Sequence, residues 1–182
     1  MNESKITVRY AKSLFLLALE KNTLNEVKDD MTYIFELCEQ VSDFALVLES
    51  PILQPSKKQK IITATIGKSI SNMSMAFLDL LLKNKRENHL KMIVKDFIEM
   101  YKVHMGIKTI ILSSTSPISL EVKQKISLII QDFYKSKVEF KEIIDKRLIG
   151  GFILRIDDQQ IDTSVIAQLH KIKQEFLSTT IQ

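Results

Sequence analysis

Leu24, Val27, Met31, Ile34, Cys38 and Val41 recur at intervals of three, four, three, four and three, which places all six on one stripe of an α-helix. The stretch Thr23-Leu24-Asn25-Glu26 in front of them has the spacing of a capping box. A chain with this repeat must bury one helical face. The same repeat runs as far as Gly106. "TVRYAKSLFLLALEKN" predicts a helix with Val8, Ala11, Leu14, Phe15, Ala18 and Leu19 on one face, while Leu16 and Leu17 extend the apolar surface beyond a single stripe. "SDFALVLES" is a short helix stopped at Ser50-Pro51, because the residue before proline avoids helical backbone. "PSKKQKIITATIG" is a helix closed by Gly67 in left-handed geometry. "NMSMAFLDLLLKNKR" is apolar on more than one side, and Leu90, Ile93, Val94, Phe97, Ile98 and Tyr101 line a further helix ending near Gly106.

Beyond Gly106 the period changes. "IKTIILSSTSP" reads as a strand, "SLEVKQKISLIIQDFYKS" returns to helical spacing through Val122, Ile126, Ile129, Ile130 and Phe133, and "KVEFKEII" and "GFILRI" read as strands. Val165, Leu169, Ile172 and Phe176 mark a last helix, with Asp162 placed to cap it. The expected architecture is α+β: an all-α bundle of six helices over residues 1–105, then a small α+β domain over residues 106–182.

Composition narrows the function. With 45% hydrophobic and 26% charged residues, the chain is neither disordered nor a membrane span, and no apolar run approaches the ~20 residues that crossing a bilayer requires. Its start, "MNESKITVRY", has no apolar signal core and no transit-peptide character, so a cytosolic protein is expected. The net charge of +4 is spread evenly: residues 1–105 carry 15 basic and 13 acidic side chains, and residues 106–182 carry 11 and 9. The densest basic spot, Lys57, Lys58 and Lys60, has no interleaved aromatics and reads as a solvated helix face, which argues against a nucleic-acid partner. Cys38 is the one cysteine, and its place on the stripe makes it a core residue, not a nucleophile.

No motif for catalysis, metal or cofactor is found. His89, His104 and His170 are dispersed, and Asp157-Asp158 with Asp162 lack the alternation of a calcium loop. Gly150-Gly151 is followed by Phe-Ile-Leu where a phosphate loop has Lys-Ser/Thr, so the pair is expected to serve a tight turn or a close backbone approach.

Three segments, "RYAKSLFLLA", "AFLDLLLKNKREN" and above all "VEFKEIIDKRLIGGFILRIDDQQIDTSVIAQL", resemble the δ subunits of bacterial rotary (F-type) ATP synthases, counterparts of the mitochondrial oligomycin-sensitivity-conferring protein. The resemblance covers essentially the whole chain. One departure is Thr163, where that family often has glycine. The resemblance implies a non-catalytic stator subunit, one copy per hetero-oligomeric complex, without cofactor or metal and without direct insertion into the membrane. It implies a place on the cytoplasmic face of the bacterial inner membrane, held there through the complex. Its helical domain would bind N-terminal segments of α subunits, and its C-terminal domain the C-terminal ends of the stalk b subunits. Carried onto this chain, the partner groove comprises Tyr10, Ser13, Leu14 and Leu17 of the first helix with Phe77, Leu80, Leu81 and Asn84 of the fifth. Gly150, Gly151 and Asp162 are expected to be structural. An RNA-binding helical adaptor and a small enzyme stay open as alternatives, the first requiring phosphate contacts and the second a convergent polar pocket.

Overall fold

A computed structural model describes residues 3–50, 52–156 and 159–179. Pro51 and Asp157-Asp158, on which the expected helix stop and acidic turn rest, lie outside the described residues, as does the side chain of Phe176. The fold is α+β. Among the described residues there are eight α-helices and one four-stranded sheet. By contacts the chain divides into two compact units, Met1–Lys102 and Val103–Gln182.

The first unit contains α1 (Glu3–Glu20), α2 (Leu24–Gln40), α3 (Ser42–Glu49), α4 (Pro55–Ile66) and α5 (Asn72–Lys83), then a short 3-10 turn at Glu87–His89 and all but the last two residues of α6 (Leu90–His104). Its core gathers the stripes. Ala11, Leu14 and Ala18 come from α1, Leu24 to Cys38 from α2, Ile62 and Ile66 from α4, Phe77, Leu78, Leu81 and Leu82 from α5, and Leu90 to Phe97 from α6. The alanines of α1 let neighbouring helices approach closely, and Phe15 meets Phe97 edge to face at 6.1 Å between centroids. Ser50 has the extended backbone expected of a residue before proline, and Pro55 opens α4 at a position whose N–H has no helical partner.

Several local expectations are corrected. Thr23 makes no cap: its hydroxyl donates to the Met73 sulfur at 3.8 Å, leaving the α2 N-terminus without a side-chain cap. Val41 lies past the end of α2 and is exposed, so the stripe closes at Cys38. Val8 and Leu19 are exposed on α1, while Ile6 and Thr7 are buried in their place. Gly67 stays right-handed at φ −60°, and the left-handed glycine that follows a helix in this part of the chain is Gly106 at φ +64°, just past α6. Lys58 is not solvated. It is 3% exposed and donates to the Leu48 carbonyl and to Glu87 Oε1, each at 2.7 Å. Burial of this cation is tolerable because its charge is paired and two of its three protons are bonded.

The second unit contains β1 (Lys108–Ser114), α7 (Leu120–Tyr134), β2 (Val138–Ile144), β3 (Phe152–Ile156), β4 (Gln159–Asp162) and α8 (Val165–Thr179). The sheet order is β2-β1-β3-β4, with β1 parallel to β2 and antiparallel to β3, and β3 antiparallel to β4. β4 is an addition to the sequence reading; its residues are all exposed, so it carries no alternation to recognise. Ile110 faces Phe140 on one side and Ile156 on the other, and these residues with Leu154 pack against Ile126, Ile130 and Tyr134 of α7. Outside this patch, Leu128, Ile129 and Phe133 of α7 and Leu169 and Ile172 of α8 remain exposed.

Asp162 does not cap α8. Ser164 does, its hydroxyl accepting the Ala167 N–H at 3.2 Å, while Asp162 Oδ1 accepts the Ser164 N–H at 2.8 Å. Hydrogen bonding from Ser164 holds the Asp162 carboxyl below its ordinary range. Gly151 sits opposite this cap with φ +78°, and a Cβ there would lie 2.4 Å from the Thr163 carbonyl oxygen. A Cβ at Gly150 would meet only a methyl of Val165, at 3.1 Å. Thr163 itself bonds the Phe152 carbonyl through both N–H and hydroxyl, at 3.0 and 2.8 Å, which brings its own carbonyl against Gly151.

The two glycines therefore predict different costs. Gly151→Val combines left-handed strain with a backbone collision, and destabilises the protein by about 3 kcal/mol or more in urea unfolding. Gly150→Ala asks only a side-chain methyl to move and costs about 1 kcal/mol. Equal stabilities for wild type and Gly151→Val contradict this account of the crossing.

Candidate functional site

A groove of about 620 Å³ runs between α1 and α5 of the first unit. It is lined by Tyr10, Ser13, Leu14 and Leu17 from α1, by Lys21 just past the end of that helix, and by Asn72, Met73, Ala76, Phe77 and Leu80 from α5. The two helices lie antiparallel: Asn84 Nδ2 donates to the Tyr10 hydroxyl at 3.2 Å at one end, and Thr23 meets Met73 at the other. Leu14 and Phe77, 2% and 7% exposed, form the floor. Leu17 and Leu80, 41% and 46% exposed, form the rims. The small side chain of Ala76 keeps the space between them open.

Of the eight residues expected at a partner groove, six line it. Leu81 is 1% exposed and packs in the core, so it supports the floor from behind. Asn84 contributes through its bond to Tyr10. Lys21, Asn72, Met73 and Ala76 also line the groove. A signal for three of them was present: Lys21 lies four residues past Leu17, and Ala76 and Met73 continue the stripe of Leu80 backwards by four and three.

The position of α5 is set by a buried carboxylate. Asp30 of α2 accepts from both the N–H and the hydroxyl of Ser71, at 2.9 and 2.6 Å. Ser71 is the N-cap of α5 and accepts the Ser74 N–H at 3.3 Å. One carboxylate thus orients the cap and fixes the start of the helix against α2. The groove walls are mainly carbon. Its one strongly polar side chain near the middle, Ser13, already donates to the Arg9 carbonyl at 2.9 Å. Such a surface binds by covering apolar area.

Elsewhere the chemistry is structural. Burial pushes the Cys38 thiol up to about 11, which leaves it protonated and unreactive at neutral pH. In the second unit a cleft of about 540 Å³ lies between α7 and β2. Its charged groups satisfy one another: Glu142 accepts from the Ile118 N–H at 2.9 Å and from Lys123 Nζ at 2.7 Å, which holds its carboxyl below the ordinary range. Among the described residues no group of three or more His, Cys, Asp or Glu is arranged to hold a metal ion.

The chain matches the family described as ATP synthase delta (OSCP) subunit over residues 6–176. It is 40% identical to ATP synthase subunit delta of Cytophaga hutchinsonii, covering 100% of this chain and 99% of that protein. It is 30% identical to ATP synthase subunit delta of Phocaeicola vulgatus, over 95% and 94% of the two chains. Its fold is similar to that of a chain in the Toxoplasma gondii mitochondrial ATP synthase hexamer, with a TM-score of 0.76 at 20% identity, over 94% of this chain and 97% of that one.

Removing the carboxylate that orients α5 has a calculable effect. Asp30→Ala leaves the Ser71 N–H and hydroxyl without their acceptor, and is expected to cost about 2–4 kcal/mol in chemical denaturation. Asp30→Asn, which retains one acceptor oxygen, costs less. An alanine variant within 0.5 kcal/mol of wild type, a tolerance set by roughly the size of an ordinary surface substitution, contradicts the assigned role.

Proposed function

The chain belongs to the ATP synthase delta (OSCP) subunit family, and on that basis we propose that it is a non-catalytic stator subunit linking the catalytic head to the peripheral stalk. The helical domain, residues 1–105, receives N-terminal segments of α subunits. The α+β domain, residues 106–182, receives the C-terminal ends of the b subunits. One copy serves each complex, peripheral on the cytoplasmic face of the inner membrane. No helix among the described residues is long and apolar enough to cross a membrane, which fits attachment through partners.

The observation that carries this assignment is the groove between α1 and α5. Leu17 and Leu80 stand on either side of it, each over 40% exposed, above a floor that the core has already closed. Leucines held in this way on a rigid pair of helices fit an amphipathic helix laid into a groove. The mechanical requirement is that a static link resist the counter-torque of a turning rotor. Buried area on a preformed surface supplies such resistance without any chemical step, and two separate binding units let one chain grip two partners at once. The exposed apolar residues of α7 and α8 give the second unit a surface for its own partner.

Replacing Leu17 and Leu80 together by aspartate tests the groove. Both side chains reach solvent, so the double variant keeps the wild-type circular dichroism spectrum and melts cooperatively. Covering a leucine is worth roughly 1.5–3 kcal/mol, about half of it still available at each site, and a desolvated carboxylate adds its own penalty. The expected loss is about 3 kcal/mol, on the order of a hundredfold in the affinity for an α-subunit N-terminal peptide measured calorimetrically. Undiminished binding places the α-subunit contact elsewhere on the molecule.

A further inference from the structure

The sheet of the second unit ends on one side at β2, a strand of seven residues. Lys108 donates its N–H to the Lys137 carbonyl, and Asp145 its N–H to the Ser114 carbonyl, each at 2.8 Å. In a parallel ladder with these two bonds at its ends and Lys108 paired with Val138, the odd-numbered residues of β2 bond to β1. Val138, Phe140, Glu142 and Ile144 then turn their N–H and carbonyl groups away from the sheet. Among the described residues no backbone–backbone bond closes that edge.

Sheet edges are normally blunted by brevity, by proline or by a covering element. The other edge strand, β4, is only four residues long. β2 is longer, and α7 beside it leaves the cleft of about 540 Å³ open. Ile126, Ile130 and Tyr134 turn one face of α7 onto the core patch around Ile110. Leu120, Gln124, Ser127, Leu128 and Gln131 then line the cleft from α7, with Phe140 on the strand side. Alternation puts Glu139 and Lys141 on the opposite face of β2, out of the cleft. Lys123 and Glu142, the charged residues of the lining, are bonded to each other at 2.7 Å, so the cleft favours an uncharged guest. A helix laid there would leave the outward N–H and carbonyl groups of β2 without protein partners. An extended chain would bond them and fill the space against α7 with every second side chain.

We propose that β2 is a docking edge, and that its occupant is an extended segment of a b subunit added as a fifth strand, with uncharged, mainly apolar side chains at every second position facing α7. The proposal rests on the assignment of the α+β domain to the C-terminal ends of the b subunits, and specifies the conformation in which one such segment is held. Backbone bonds to Phe140 and Glu142 supply the hold, while Leu120 and Leu128, both exposed, select the side chains.

The test is calorimetric titration of the full chain with a synthetic peptide from the C-terminal end of the cognate b subunit, N-methylated at one backbone nitrogen at a time. Strand addition is expected to show a period of two: methylation of an amide that faces β2 weakens binding about tenfold, and methylation of its neighbours changes it by less than about twofold. A docked helix, whose own N–H groups are internally bonded, would be weakened with no such period. Residue-resolved hydrogen exchange on the complex is expected to slow at the N–H groups of Phe140 and Glu142 and to stay unchanged at that of Lys141, which β1 already bonds. Leu128→Asp is expected to keep the wild-type circular dichroism spectrum and to weaken the peptide about tenfold. Binding without the period of two and without slowing at Phe140 and Glu142, or a Leu128→Asp variant that binds like wild type, overturns strand addition in the cleft and leaves the assignment of the domain standing. A wild-type chain that does not bind the peptide overturns both.

Discussion

The hydrogen bonds from Ser71 to Asp30 determine where α5 begins, and through it the shape of the first unit's working face. An α-helix can slide or rotate on a carbon core at modest cost, since apolar contacts have little directionality. A carboxylate that accepts both the cap hydroxyl and its N–H permits neither. With the opposite end tied by Asn84 and Tyr10, α5 has two fixed points against its neighbours. Leu14, Phe77 and Leu81 then close the core, and Leu17 and Leu80 are left standing outside it. The groove is what remains when two helices carry more apolar surface than their own core can cover.

Much of this was legible in the sequence, because helical spacing is a local property. The stripe from Leu24 to Cys38, the surplus on α1 and α5, and the change of period after Gly106 all follow from residues a few positions apart. What the spacing could not report is which of two apolar faces turns inward. Val8 and Leu19 fit the stripe of α1, yet Ile6 and Thr7 are buried instead. Features that depend on a distant partner were also invisible. Lys58 looked like part of a solvated basic run because its partners, the Leu48 carbonyl and Glu87, come from other elements of the chain. Thr23 had the spacing of a cap but bonds Met73, fifty residues away. Ser71 and Ser164, which do cap their helices, stand out only once Asp30 and Asp162 are seen bonding to them. β4 escaped because a short, wholly exposed edge strand has no buried alternation.

The Gly150-Gly151 pair shows how a motif associated with ligands can be wholly internal. Thr163 bonds Phe152 twice and thereby presses its own carbonyl against Gly151, at a distance no Cβ could share. The crossing ties the end of β4 and the start of α8 to the segment entering β3. On the proposed function, rigidity in this unit matters for the same reason that the Asp30 contact matters in the first: a link under load transmits force only as well as its stiffest folded path. Each unit pairs an interior fixed by directional bonds with apolar residues left on the outside, an arrangement that suits the holding of partners on the proposed function.

The central claim is that the groove between α1 and α5 is filled by an α-subunit segment in the working enzyme. The direct measurement is to place a photo-crosslinking amino acid at position 80, in place of Leu80, within the assembled ATP synthase, irradiate, and identify the adduct by mass spectrometry. The account predicts a covalent link to the N-terminal segment of an α subunit. An adduct confined to another subunit, or a position 80 that reacts only with water in the intact complex, would contradict it.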